Sequence, residues 1–134
     1  MSYTVNLTIN NLYHQIDIVG VLLKDTDADD LQIKLIELLR SNPSPTNLLM
    51  IDVRLLQFRA SVTNTFFRAS AIPNDVKSLN VAIIENDEYK DKGTITENMY
   101  RNNGLNLRVF LDKGEAESWF ITVNNQKISI PNKQ

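Results

Sequence analysis

Cysteine is absent from the 134 residues, so disulfides, thiolate nucleophiles and thiolate metal sites are excluded at once. Histidine occurs once, as His14, with no serine or cysteine motif beside it, which leaves no material for a catalytic triad or a histidine metal site. Glycine is scarce: Gly93, Gly104 and Gly114 stand too far apart to cradle a phosphate, and each suits a turn or a helix cap. No apolar run approaches the roughly 20 residues that span a bilayer. The first residues, MSYTVNLTIN, have neither the basic start nor the apolar centre of a secretory signal, so the cytoplasm is the expected compartment. A formal charge of -2 with no dense basic run offers no electrostatic footprint for nucleic acid.

What is there is an ordered succession of amphipathic segments. The content of 43% hydrophobic and 22% charged residues is that of a globular chain, and the length suits one domain, 1–134, burying roughly two thirds of its unfolded surface. Alternation of Val5, Leu7 and Ile9, then Ile16 and Ile18, predicts a hairpin turning at Asn10 and Asn11, with Gly20 at a bulge or close backbone approach. A helix follows, with Ala28, Leu31, Leu35, Leu38 and Leu39 on one face. The acids at its start suit the positive end of the dipole, with Thr26 and Asp29, or Asp27 and Asp30, at capping-box spacing. Pro43 and Pro45 stop it. The uninterrupted runs LLMIDV from Leu48 and VAII from Val81 predict strands covered on both faces, hence parallel.

Between those strands, Ser61 opens a predicted helix whose stripe is Val62, Phe66 and Ala69, with Phe67 and Ala71 beside it, ending at Pro73. After the second, Ile95, Met99 and Tyr100 recur at helical spacing, Gly104 occupies a left-handed C-terminal cap, and Leu105, Leu107, Val109 and Phe110 begin another strand. Asp112 caps a last helix carrying Ala116, Trp119 and Phe120 inward. Residues 121–134 alternate around Asn124 and Asn125, which predicts an edge hairpin or tail and, through it, a homodimer. The fold class is therefore α/β: an N-terminal β-hairpin followed by αβ units, with helices packed on a mixed sheet.

Four stretches carry a family resemblance covering Tyr3 to Phe120: IDIVG, LLMIDVRLLQF, LNVAIIEND and MYRNNGLNLRVFLDKGEAESWF. Together they resemble the SpoIIAA-like proteins, whose fold is shared by anti-sigma-factor antagonist (STAS) domains and related to lipid-binding CRAL-TRIO domains. The resemblance implies a non-enzymatic regulatory module that binds a protein, with no cofactor. In the antagonist branch a phosphorylatable serine opens the helix after the central strand, in a pattern resembling Asp-Ser-Ser-Gly. This chain has Arg59-Ala60-Ser61-Val62-Thr63 there, so the serine is present near its place while the acid and the glycine are not. Asn98 stands where many relatives have an arginine before the Met-Tyr pair.

Open αβ sheets gather functional groups at the carboxyl ends of their strands. That rule selects Arg54, Arg59, Ser61, Thr63 and Asp87 as a partner-binding rim. Asp52, Asp87 and Asp112 have no recognised metal spacing, and no metal is expected. The related lipid-binding domains imply an alternative, a carrier or sensor of a small apolar ligand, with Phe58, Phe66, Met99 and Tyr100 as cavity residues.

Overall fold

The computed structural model describes residues 2–57 and 61–129. Strands β1 (Tyr3–Ile9) and β2 (His14–Val21) form the predicted hairpin, with Tyr3 opposite Gly20 and Ile9 opposite His14. Asn10 closes the turn, because its Oδ1 accepts from the backbone N–H of Leu12 at 2.9 Å and of Tyr13 at 2.8 Å. Gly20 is dictated by space as well as by backbone. Its φ is +129°, and a Cβ there would lie 2.2 Å from the Ser2 carbonyl oxygen, which accepts a 2.7 Å hydrogen bond from Val21 N–H.

The chain continues through α1 (Asp25–Ser41), β3 (Leu48–Asp52), β4 (Leu56–Gln57), α2 (Val62–Ser70), β5 (Asn80–Ile84), α3 (Lys90–Asn102), β6 (Asn106–Phe110) and α4 (Lys113–Ser129). Sheet order is β1-β2-β3-β5-β6, with β4 alongside β2. The hairpin pair is antiparallel, and β2–β3, β3–β5 and β5–β6 are parallel. The expected mixed α/β sheet is thus present. Because the parallel strands advance in one direction, right-handed crossovers put α1, α2 and α3 on one face. α4 has no later strand to reach, and it covers the other.

This two-sided cover explains the unbroken apolar runs. Leu49 and Ile51 of β3, with Val81 of β5 and Leu107 of β6, face the layer that includes Leu31 of α1. Leu48 and Met50, with Ala82 and Ile84, face Ala116 and Phe120 of α4. Edge strand β1 has only one covered face and alternates instead: Tyr3 is buried while Thr4, Asn6 and Thr8 are exposed.

Three expectations need correction. The stretch after Phe120 is not an edge hairpin as far as it is described: α4 runs unbroken to Ser129, and residues 130–134 lie outside the described residues. Ala116, Phe120 and Val123 supply a helical stripe against the sheet, which outweighs the local alternation. The homodimer argued from a strand-like tail loses its basis with it. Helix α1 starts earlier than either predicted capping pair implies: Asp27 Oδ2 accepts from the backbone N–H of Leu23 at 2.8 Å and of Lys24 at 3.2 Å. Among the described side chains of α2 the buried ones are Thr65 and Ala69, and Phe66 faces out. Gly104 behaves as expected, at φ +92°, with its N–H on the Arg101 carbonyl and Leu105 N–H on that of Tyr100, a Schellman closure.

Candidate functional site

The carboxyl ends of β3 and β5 meet in a polar loop. Arg54 folds back on its own strand, its Nε and Nη2 donating to Asp52 at 3.1 and 2.8 Å, while its backbone N–H donates to Asp52 Oδ1 at 3.0 Å. Burial alone would push the Asp52 carboxyl up. The hydrogen bonds and charge of Arg54, with Lys113 beyond, overcome that and hold it below the ordinary range. Asn86 crosses from the end of β5 to donate from Nδ2 to the Arg54 carbonyl at 3.2 Å. Its Oδ1 is buried without a protein hydrogen-bond partner. Asp87 follows, exposed, at the start of a 3₁₀ turn spanning Asp87–Tyr89.

Further along the chain, after β4, α2 begins. Ser61 is its N-cap, with extended backbone and Oγ accepting from Asn64 N–H at 3.2 Å. Asp25 Oδ1 accepts from the Ser61 backbone N–H at 3.2 Å, tying the start of α1 to the start of α2 and leaving negative charge beside the serine. Thr65, though polar, is buried because its hydroxyl donates to the Ser61 carbonyl at 2.9 Å, so its methyl can face inward. Thr63, Phe66, Phe67 and Ser70 are exposed. The two phenylalanine rings lie edge to face, centroids 5.6 Å apart, and are 49% and 64% exposed.

On the inner side of α2, between the sheet and α1 to α3, lies a cavity of about 240 Å³. Leu49, Val81 and Leu107 form its floor, and Leu31 and Leu35 of α1 form part of its roof. Polar groups gather where the helices meet. Arg68 Nη1 donates to Asp29 at 3.0 Å and Nη2 to Thr65 Oγ1 at 3.2 Å. The Tyr100 hydroxyl donates to Gln32 Oε1, and Gln32 Nε2 donates to the Arg68 carbonyl at 3.0 Å. Burial pushes the Tyr100 hydroxyl to about 12, against the opposing pull of Arg68.

No protein-family model and no curated protein matches the sequence. Solved structures do. An anti-sigma factor antagonist from Mycobacterium paratuberculosis superposes at TM-score 0.60 with 11% identity, over 89% of this chain and 94% of that one. An uncharacterised protein from Shewanella loihica, described as having a SpoIIAA-like fold, superposes at TM-score 0.55 with 19% identity, again over 89% and 94%. The fold is SpoIIAA-like.

Within the SpoIIAA-like fold the residues expected to act together divide. Arg54 and Asp87 are joined through Asn86 at the ends of β3 and β5. Ser61 and Thr63 sit at the start of α2, linked to α1. Arg59 lies outside the described residues, as does Phe58. Of the expected cavity residues, Tyr100 lines the cavity, whereas Phe66 points to solvent and Met99 is not among the lining side chains. Leu55 and Arg68 are not singled out by the sequence, and Phe67, expected beside the buried stripe of α2, is exposed. Adjacent Phe66 and Phe67 cannot share one stripe of a helix with Ala69, and that adjacency was the available signal. Among the described residues no group of three or more His, Asp or Glu side chains is placed to hold a metal ion, and no helix is long and apolar enough to cross a membrane.

Proposed function

We propose that this chain is a non-enzymatic, cytoplasmic interaction or regulatory module that engages a protein partner through the loop after β3 and the outward face at the start of α2. The observation that carries the reading is the exposed Phe66–Phe67 pair on a helix capped by Ser61; Leu55, in the loop after β3, is exposed as well. Aromatic side chains held outward cost solvation in the free protein and are the groups that anchor interfaces. Arg54, Ser61, Thr63 and Asp87 supply polar groups for this surface, and Arg59, expected with them from the sequence, lies outside the described residues. Similarity in fold to an anti-sigma factor antagonist supports a protein partner in kind.

The test is a stoichiometric complex isolated from the source cells, with affinities measured for variants that retain native circular dichroism. Replacing both Phe66 and Phe67 by Ala is expected to weaken the complex by about thirtyfold or more, as loss of interface anchors does. Arg54→Ala and Thr63→Ala are expected to cost less. A complex indifferent to all four substitutions rejects this surface. A second reading, a carrier or sensor of a small apolar ligand, has the cavity beneath α2 in its favour.

A further inference from the structure

The cavity has a chemical polarity that its size alone does not convey. Its floor and much of its roof are branched aliphatic side chains, and a void bounded by such groups forgoes dispersion contacts that a guest would restore. An engineered apolar cavity of about 150 Å³ takes benzene. On the same scale, about 240 Å³ takes roughly ten non-hydrogen atoms.

Arg68 breaks the aliphatic lining. Its side chain is 11% exposed, and its partner Asp29, which does not line the cavity, is 51% exposed, so water screens the carboxylate more than the guanidinium. A guanidinium carries five N–H donors, and the bonds to Asp29 and Thr65 engage one nitrogen each. The Tyr100 hydroxyl and Gln32 stand beside it, both lining the cavity. Glu85 and Lys92 also line the cavity with opposite formal charges, which leaves no net sign on that side. A donor-rich cationic fork at one point of an aliphatic chamber fits a planar anion with a short hydrocarbon tail.

We propose that the cavity between the sheet and α1 to α3 binds a medium-chain monocarboxylate, with its tail over Leu49, Val81 and Leu107 and its carboxylate on Arg68. Octanoate, with ten non-hydrogen atoms, matches the volume. This deepens the ligand-carrier reading by fixing the head group, and it is independent of whether α2 docks a protein.

Isothermal titration calorimetry of the full chain decides it, with sodium octanoate and 1-octanol as probes. Octanoate is expected to bind saturably at one site, and 1-octanol about tenfold more weakly. Arg68→Met is expected to abolish that preference while retaining 1-octanol binding, and Arg68→Lys to restore part of it. Should Arg68→Met fail to fold, the comparison of the two probes on the unaltered chain still decides. Equal affinities for the two probes would overturn the carboxylate assignment and leave a carrier of neutral apolar molecules. Absence of saturable binding by either would overturn both.

Discussion

Replacing Phe120 by alanine tests how strongly helix α4 holds the sheet. The side chain is fully buried, packed among Leu48, Met50, Ala82 and Ile84, with its ring centroid 5.2 Å from that of Tyr13 and 5.7 Å from that of Trp119. Truncating a buried phenylalanine to alanine costs about 3 to 5 kcal/mol in lost transfer energy and residual cavity. With the floor of this site made of two parallel strands that cannot collapse into the space, a value near 4 kcal/mol is expected for Phe120→Ala. Unfolding entropy of about 2.1 cal/mol/K per residue makes that a fall in Tm of about 14 °C for a domain of this length. Ile121, 53% exposed on the next position of the helix, is the control, and Ile121→Ala is expected to cost under about 0.5 kcal/mol. Scanning calorimetry of the two variants reads the difference directly. Equal shifts, or a Phe120→Ala loss under about 1 kcal/mol, would refute the placement of α4 against the sheet.

Ser61→Ala removes the acceptor for Asn64 N–H and is expected to cost about 1 kcal/mol in thermal or denaturant unfolding, whereas Ser61→Asn is expected to cost little; equal losses would contradict the cap. Gly20→Ala places a methyl 2.2 Å from the Ser2 carbonyl oxygen at a φ of +129°, and a loss of about 2 kcal/mol or more is expected from chemical denaturation, with no loss counting against the hairpin register. Tyr13, buried and hydrogen-bonded to Glu117, and Tyr100, half-buried beside the cavity, both have hydroxyls pushed up to about 12. Their raised values favour the folded state below the ordinary value of 10.0, and that contribution is lost as pH climbs from there through about 12. Phenolate absorbance is expected to show these two ionising late. Phe substitution at either position is expected to remove one late step, and an unchanged titration would refute the burial.

The sheet was legible because its residues answer to one dominant demand. LLMI and VAII need apolar groups on both faces, and no half-exposed strand would have them. Gly104 and Asn10 were legible for a similar reason, each being a residue type suited to the backbone geometry found there. Errors arose where a residue's apparent polarity is cancelled locally. Thr65 looks like a surface residue until its hydroxyl is bonded to the preceding turn, and this rotates the buried stripe of α2 by one position. Asn124 and Asn125 look like a turn, yet the spacing of Ala116, Phe120 and Val123 fixes a helix through them. Strand β4 is two residues long and leaves no period to read. The Arg68 cluster joins α1, α2 and α3, positions 36 and 68 residues apart along its bonds, and spacing in sequence carries no trace of it.

These placements make α2 a boundary between two surfaces. Its outward side carries Phe66 and Phe67, its inward side Thr65 and Arg68, four consecutive residues of a nine-residue helix. No rigid-body movement of so short an element can change one side without the other. If a guest on Arg68 shifts α2 as a body, the aromatic pair shifts with it, and a partner seated on the pair would shift Arg68 in turn. Linkage then requires reciprocity: whatever factor the carboxylate imposes on partner affinity, the partner imposes on carboxylate affinity. Equal guest affinity with and without the partner would mean that α2 is held in one position by its neighbours, and the short helix would then be scaffold on one side and anchor on the other.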